Sequence, residues 1–484
     1  MPVFRAHNQM RDALARYPLI KRVFELSAER AVPAYLVGGT VRDFLLGQDT
    51  HDLDFAVQGS GLALARYIAD QLDGYFVPLD RKRRTGRVIL AEADPSTPQS
   101  LDIASLRGED LQSDLEGRDF TLNAIAIAPT EDGWRIQDPL GGRQDLSQGI
   151  LRLASPSGFE DDPVRTLRAV RLQVQFGFAI EPRTHRRLQA AVPLLEDVSA
   201  ERVRDEWFKI LQLADAAVAL GELSELGLLK VITPEIARSE HLDHALATVG
   251  ATERLWATLN APADQPQTDR ERRLLESLEH LEPHLRRRYS THICDERSYL
   301  VLLKCAALLH APSVDGFAFA VRWKLSKREG QLLHTAIQHY AEVQALAKRR
   351  ELNRRSIYCF FEQTGEPGID AAMLSLAHTM AVTQEDQHEE GLHEHTKAVA
   401  QLLEAWFEHH DTQIAPTPLL SGKEVMRALD QQAGPQIGEL LQALIQEQAA
   451  GEILTRQQAL AFLQGWKMRN GAKEAKHACA KKPD

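Results

Sequence analysis

Two aspartates separated by one residue, Asp52 and Asp54, stand at the head of Leu53-Asp54-Phe55-Ala56-Val57, a run of strand character. Side chains alternate across a strand, so both carboxylates point to one face. Paired carboxylates can hold Mg²⁺, a hard cation that uses few protein carboxylates and completes its shell with water and substrate phosphates. Upstream, Gly38-Gly39 lies 52 − 39 = 13 residues before Asp52, between a strand and a short helix. Bare backbone N–H groups near a helix N-terminus are a ready cradle for a triphosphate. Arg42 follows one turn later, placed to pair with a phosphate. Metal ligands, glycine cradle and arginine are the parts of phosphoryl transfer. Singly each is weak: a lone Asp-x-Asp is usually a solvated turn or strand edge, and a lone Gly-Gly a turn. Asp102, in Leu101-Asp-Ile-Ala104, is a candidate third metal carboxylate and equally a strand-end surface residue.

The elements that must position these groups are short. Residues 1–30 carry an apolar stripe at helical spacing, through Leu14, Leu19, Ile20, Val23, Phe24 and Leu26. Strand-like runs at 34–37 and 53–57 flank a short helix at 41–46, and a helix at 62–72 follows. Strand candidates then come at 75–79, 87–91 and 100–104. Strands alternating with helices over about 130 residues predict a small mixed head. From about residue 160 the period is helical throughout, as at 163–176, 182–191, 200–213, 300–309, 328–347 and 393–407, with Pro and Gly at the joints.

The chain has 484 residues, enough for about three domains. Its 44% hydrophobic and 26% charged content excludes a wholly disordered or fibrous chain. No apolar run reaches the length of a membrane span, and the first twenty residues lack the apolar core of a secretory signal. Four widely spaced cysteines, with no Cys-x-x-Cys pair, predict neither a structural zinc nor a disulfide framework and fit a reducing cytoplasm. The net charge of 57 − 68 = −11 argues at first against a nucleic-acid partner, but phosphate backbones respond to local patches. Such patches stand at Arg81–Arg84 with Arg87, at Arg286–Arg288, and at Lys348–Arg350 with Arg354 and Arg355. Any one alone is more readily a solvated helix face or loop.

The ordered set of motifs resembles the class II tRNA nucleotidyltransferase and poly(A) polymerase family, of the DNA polymerase beta superfamily. The resemblance rests on Leu36-Val-Gly-Gly-Thr-Val-Arg-Asp43 with Asp52-Leu-Asp54, then Arg118-Asp-Phe-Thr-Leu-Asn-Ala124 and Asp138-Pro-Leu-Gly-Gly142. It continues through Asp161-Asp-Pro-Val-Arg165-Thr-Leu-Arg168-Ala-Val-Arg171 and Glu201-Arg-Val-Arg-Asp-Glu206. It is dense over residues 34–215 and faint afterwards.

The resemblance implies a polymerase-beta-like α+β nucleotidyltransferase head followed by an elongated all-α neck, body and tail. The expected divisions are a head at 1–150, a neck at 151–225 that recognises the nucleobase, and a tRNA-binding body and tail at 226–465. The body leaves room for a degenerate HD-like part, and a basic flexible tail covers 466–484. Catalysis is expected from Asp52 and Asp54 with two Mg²⁺ ions, with Asp102 as a further metal carboxylate. Gly38, Gly39, Arg42, Arg118, Asp119, Asn123, Asp162, Arg165 and Arg168 are expected to bind the nucleotide. Asp119 and Asn123, four apart on a helical turn, could hydrogen-bond ribose hydroxyls. Asp162 and Arg165, on a helix that Pro163 starts, could imitate a template base for CTP and ATP; an isolated pair of this kind is a surface salt bridge. Arg171 is expected to be structural.

The implied activity is template-independent addition of CCA, or part of it, to tRNA 3′ ends. Its alternatives are a CC-adding or A-adding specialist, a poly(A) polymerase, and, more remotely, a non-catalytic RNA-binding relative. The acceptor and T arms of tRNA are the expected partner, with no membrane. Gly117 stands where many relatives carry a second arginine, and the spacer from Gly108 to Arg118 is short, as in CC-adding members. His241-Leu-Asp-His244 and Ala306-Ala-Leu-Leu-His310 look like worn HD-phosphohydrolase signatures, but Ala311 replaces the required aspartate, so helical packing is the better account. His388 to His395 lacks His-Glu-x-x-His spacing and reads as an exposed polar helix start.

Overall fold

A computed structural model describes residues 12, 14–50, 52–90, 100–131, 133–261, 276–294, 297–311, 314–349, 352–383 and 389–466. The expected basic tail from 467 onward lies outside them. The chain forms two compact units, Met1–Trp207 with Glu222–Ile232, and Phe208–Gly221 with Thr233–Asp484.

The first unit is built on seven strands: β1 Ala34–Val37, β2 Asp52–Val57, β3 Tyr75–Asp80, β4 Thr85–Ile89, β5 Ser100–Ser105, β6 Ala126–Thr130 and β7 Gly133–Gln137. Their order is β3-β4-β5-β2-β1-β6-β7. Among these seven, only β2 and β5 pair in parallel; a separate short pair, Ile150–Leu151 with Ala179–Ile180, is parallel as well. The β6–β7 hairpin is an addition to the strands expected from sequence.

Three helices cover one face: α1 Pro18–Glu29, α2 Gly39–Leu46 and α3 Gly61–Gln71. Ile20, Val23 and Leu26 of α1, Phe44 of α2 and Ile68 of α3 pack with Leu53, Phe55 and Val57 in one core. Full burial of such a side chain contributes about 1.5–3 kcal/mol. That burial fixes the register of β2 and turns Asp52 and Asp54 to the opposite face. There only a small apolar patch, Val37, Ala56, Leu115, Ala124 and Ala126, forms beneath the functional residues.

α4 Leu111–Glu116 lies between β5 and β6, and after the sheet come α5 Gly142–Gln148, α6 Gly158–Asp161, α7 Arg165–Phe176, α8 Pro182–Ala191 and α9 Ala200–Leu211. The helix expected to start at Pro163 starts at Arg165, and Asp162 is extended (φ −152°, ψ 90°). Asp162 therefore precedes the helix, which corrects the expectation that it shares one with Arg165. The short Gly108–Arg118 spacer is closed by α4, whose Asp110 caps the N–H of Ser113 at 2.9 Å.

The second unit is helical apart from the short pair His292–Cys294 and Arg297–Ser298 among the described residues. Its main helices are α10 Leu242–Asn260, α11 Glu282–Ser290, α12 Tyr299–Leu309, α13 Lys327–Ala347, α14 Arg354–Thr364, α15 Gly368–Val382, α16 Glu389–Phe407 and α17 Pro435–Ala449. α15 is buried on every side from Gly368 to Ala377. Such a helix reads as apolar all round because α10, α13 and α16 surround it. His395 of α16 is buried and bonded to Ser375 Oγ at 3.1 Å, so the helix start read as exposed and polar faces inward there. No described helix is long and apolar enough to cross a membrane.

Candidate active site

The site lies on the polar face of the sheet in the first unit. Register sets its centre: β2 and β5 run side by side with Asp52 opposite Ser100 and Asp54 opposite Asp102. Asp52 Oδ1 accepts a hydrogen bond from Ser100 Oγ at 2.5 Å. β4 adds Arg87, whose Nε and Nη2 donate to both oxygens of Asp102 at 2.8 and 2.9 Å. Arg87, placed from sequence in a basic patch, thus faces the acidic centre.

Gly38 enters from β1. Its φ of +72° suits glycine, and a Cβ there would lie 3.3 Å from Asp54 Oδ2 and 3.0 Å from Arg118 Nη1. Gly38 also caps α2, so backbone N–H groups of that helix open beside Asp54. Thr40, a residue sequence reasoning did not single out, ties the two segments together: its Oγ1 donates to the carbonyl of Asp52 (3.2 Å) and accepts from the N–H of Asp54 (2.9 Å).

The cations around this centre are held in place. Arg118 donates to Asp114 Oδ2 through Nε (3.0 Å) and Nη2 (2.8 Å), and Asp114 is buried. Arg42 donates to Asp43 (2.8 Å) and Asn123 Oδ1 (2.8 Å) and lies over the ring of Phe176 at 4.7 Å. Asp119 sits just before a single 3₁₀ turn, Thr121–Asn123, and its Oδ1 accepts from Asn123 Nδ2 at 3.0 Å and from the N–H of Phe120 at 2.8 Å. Asp119 and Asn123 are thus brought together, though by a turn that starts after Asp119. Asp119 Oδ2 accepts from Arg168 at 3.1 Å. Burial alone would raise the Asp119 pKa, but Arg168, Asn123 and the Phe120 N–H outweigh it and hold the carboxyl well below the usual range.

The Asp138-Pro-Leu-Gly-Gly142 turn serves this turn. The Asp138 carboxylate accepts from the N–H groups of Gly142 (2.7 Å) and Arg143 (3.1 Å). A Cβ on Gly142 would lie 2.1 Å from the carbonyl oxygen of Thr121, so only glycine lets α5 approach.

Asp162 and Arg165 come near each other, 3.9 Å apart, but each has closer partners. Asp162 accepts from Arg202 Nη2 at 2.8 Å with both oxygens. Arg165 donates to the carbonyls of Gly117 (2.9 Å) and Arg118 (3.2 Å). Arg171 pairs with Glu206 at 2.6 Å. Arg202, Thr40, Ser100 and Asp114 complete the constellation and were missed as individual residues. Thr40 and Arg202 stood inside the motifs that carry the resemblance, and Ser100 and Asp114 did not.

A family profile described as "Poly A polymerase head domain" matches residues 34–152, and one described as "Probable RNA and SrmB- binding site of polymerase A" matches 177–239. An A-adding tRNA nucleotidyltransferase of Deinococcus radiodurans is 33% identical over 90% of this chain and 95% of its own length. The chain belongs to the tRNA nucleotidyltransferase and poly(A) polymerase family. A CC-adding tRNA nucleotidyltransferase of Geobacter sulfurreducens is 29% identical over 92% of this chain and 95% of its own length. Among solved structures, a CCA-adding enzyme with CTP covers 93% of this chain and 94% of its own at TM-score 0.62 and 22% identity, which shows the shared fold.

The chain is therefore an enzyme of the nucleotidyltransferase class, and its acidic centre fits a divalent cation on its own chemistry. Burial pushes the Asp54 carboxyl up to about 7, with Asp102 and Asp52 adding to the rise against Arg118 and Arg42. Three carboxylates crowd one face of the adjacent strands β2 and β5, and oxygen donors of this kind suit Mg²⁺. Asp52 and Asp54 have the better claim to ligate it, because both oxygens of Asp102 already accept from Arg87.

Proposed function

We propose that this nucleotidyltransferase adds CCA, or part of it, to the 3′ ends of tRNA, taking nucleotides from CTP and ATP without a nucleic-acid template. The observation that carries the reading is the register of Asp54 beside Asp102 directly under the Gly38 turn at the start of α2. In the reaction the tRNA 3′-hydroxyl oxygen forms a bond to the α-phosphorus, the bond to the pyrophosphate oxygen breaks and pyrophosphate leaves, and the hydroxyl proton passes to solvent. Two Mg²⁺ ions bound by Asp52 and Asp54 would favour the attacking alkoxide and offset charge on the leaving group.

The chain's own residues bind and orient. N–H groups at the start of α2 and the guanidiniums of Arg42 and Arg118 receive the phosphates. Asp119, kept ionised by Arg168, accepts from ribose hydroxyls, and Asn123 beside it donates or accepts. Arg168 is partly exposed and reaches toward the nucleotide while bonded to Asp119. Asp162 and Arg165 present an acceptor and a planar donor to the base edge, with Arg202 and the Gly117 carbonyl holding them until the base arrives. The helical second unit takes the acceptor and T arms of tRNA by shape and phosphate charge. The expected compartment is the cytoplasm.

A second reading, an A-adding specialist, is favoured by the 33% identity to the Deinococcus radiodurans A-adding enzyme. The short, helix-closed spacer between Gly108 and Arg118 leans instead toward CC addition. Purified protein with Mg²⁺, labelled CTP or ATP, and tRNAs ending before the first C, after the first C or after the second C separates these outcomes. No incorporation on any of the three would overturn the proposal.

A further inference from the structure

The second unit contains a group of ligating nitrogens that the nucleotidyl transfer does not use. His244 from the first turn of α10, His310 directly after α12 and His378 of α15 converge, with one ring nitrogen of each within 4.8 Å of the other two. His378 Nδ1 lies 2.9 Å from His244 Nε2 and 3.1 Å from His310 Nε2. His310 Nδ1 lies 2.6 Å from the carbonyl oxygen of Ala307. A carbonyl can only accept, so Nδ1 carries the hydrogen and the neutral ring presents a bare Nε2 to the cluster. One hydrogen on His378 Nδ1 cannot lie along both short lines at once, so one of the two close contacts has no hydrogen bond along it.

We propose that these three imidazoles bind one late divalent transition-metal ion, with Zn²⁺ as the representative. A cation at their centre would satisfy all three lone pairs. Zn–N bonds of about 2.0–2.1 Å in a tetrahedral shell place the nitrogens about 3.3 Å apart, a small adjustment from the observed spacing. The backbone bond from His310 is the kind of outer contact that orients a histidine ligand. An all-imidazole set selects zinc, copper, nickel or cobalt over Mg²⁺. It also differs from a phosphohydrolase centre, since the group holds no carboxylate and Ala311 stands beside it. A cavity of about 170 Å³, lined also by His241 and Tyr340, adjoins the nitrogens. It leaves the fourth position to water or a small anion. The ion would tie α10, α12 and α15 together.

The test uses the untagged full-length protein, stripped with chelator and held in excess Mg²⁺ so that the acidic centre does not report. Zn²⁺ is titrated against a chromophoric chelator, and Co²⁺ is added separately for its visible spectrum. The expected result is one Zn²⁺ per chain, a raised Tm, and the intense absorption of four-coordinate Co²⁺. His378→Gln and His244→Gln should each weaken Zn²⁺ binding at least about a hundredfold, with the far-UV spectrum unchanged. His280→Ala is the control, because exposed His280, Glu404 and Glu408 also lie close enough to share an ion. Zn²⁺ binding lost in His280→Ala but kept in the other two variants would overturn the proposal. So would a weak six-coordinate Co²⁺ spectrum in the unaltered protein, a measurement that needs no variant to fold.

Discussion

The acidic centre of the first unit and the core of the second treat buried charge in opposite ways. In the second unit, buried cations meet matched partners. Arg288 donates to Asp370 (2.6 Å) and Glu366 (2.8 Å), Arg297 to Glu329 (2.6 Å), and Lys304 to Glu253 (3.0 Å). Glu329 also forms the capping box at the start of α13 with Ser326, so one carboxylate closes a helix end and an ion pair. In the first unit, Asp52, Asp54 and Asp102 share one face of the adjacent strands β2 and β5, and the Asp54 carboxyl is pushed up to about 7. Balanced charge holds helices in place. Unbalanced charge stands where the proposed cation and phosphate would arrive.

The comparison breaks first at Asp54. Asp54→Ala, and Asp52→Ala beside it, should lower nucleotide addition to tRNA by more than about a thousandfold while the thermal melt stays cooperative. Near-normal turnover at ordinary Mg²⁺ would show that the acidic centre is structural after all. In the second unit the same kind of change should act on stability instead. Asp370→Ala leaves Arg288 buried with only Glu366 and should cost about 3 kcal/mol in denaturant unfolding. Its effect on kcat should be small in the protein that remains folded.

The third expectation concerns nucleotide choice. Asp162→Ala or Arg165→Ala should relax discrimination among CTP, ATP, UTP and GTP by about tenfold to a hundredfold, the worth of about 1–3 kcal/mol at a base edge. Arg202→Ala, which frees Asp162 without altering the pair, sharpens the test. If it changes selectivity in the same direction, Arg202 positions Asp162 for the base. Lowered stability with unaltered selectivity in all three would return these residues to a structural salt-bridge network.

Much of the site was readable in sequence because it depends on local periodicity. Alternation along β2 put Asp52 and Asp54 on one face, and burial of Leu53, Phe55 and Val57 confirms which face was left for them. The β6–β7 hairpin escaped because Ala126, Ala128 and Pro129 carry weak strand preference, and neighbours supply the burial. The start of α7 escaped because Pro163 was taken as its first residue, while the chain is still extended at Asp162. Long-range partners leave no local trace. Arg202 meets Asp162 across 40 residues, and His378 meets His310 across 68. The Arg286–Arg288 patch divides the same way: Arg288 is buried against Asp370, a partner 82 residues distant.

A fourth expectation follows from the sign of the Asp54 shift. Its pKa is raised from 3.8 in the unfolded chain to about 7 in the folded one. The folded protein therefore holds a proton that the unfolded chain releases. The associated stability is complete below pH 4 and is lost as pH rises through 7. In chelator, Asp54→Asn should resist this loss and exceed the unaltered protein by about 2 kcal/mol near pH 8. Adding Mg²⁺ should reverse the order, because only the aspartate gains from the cation. Parallel stability curves from pH 4 to 8 would show that Asp54 is not under this strain.

The smallest effect belongs to the surface cations of the second unit, where the comparison predicts that pairing decides availability. Arg355 is committed to Glu447 through two bonds of 2.6 and 2.7 Å. Lys348, at the C-terminal end of α13, is exposed and lines a cleft with Gln344, Thr379 and His395. Arg349 is exposed too and bonds only to Ser356 Oγ at 2.9 Å among its described contacts. If tRNA follows this face, neutralising Lys348 and Arg349 together should reduce the slope of log affinity against log salt by about 1–2, since each phosphate contact contributes slightly less than one. Arg355→Ala should leave that slope in place and lower stability by less than about 1 kcal/mol, as for a surface ion pair. A slope that falls for Arg355 and not for Lys348 and Arg349 would mean that the pair with Glu447 opens for RNA. Paired charge in this unit would then be a reserve for binding, unlike the permanent pairing of Arg288 inside it.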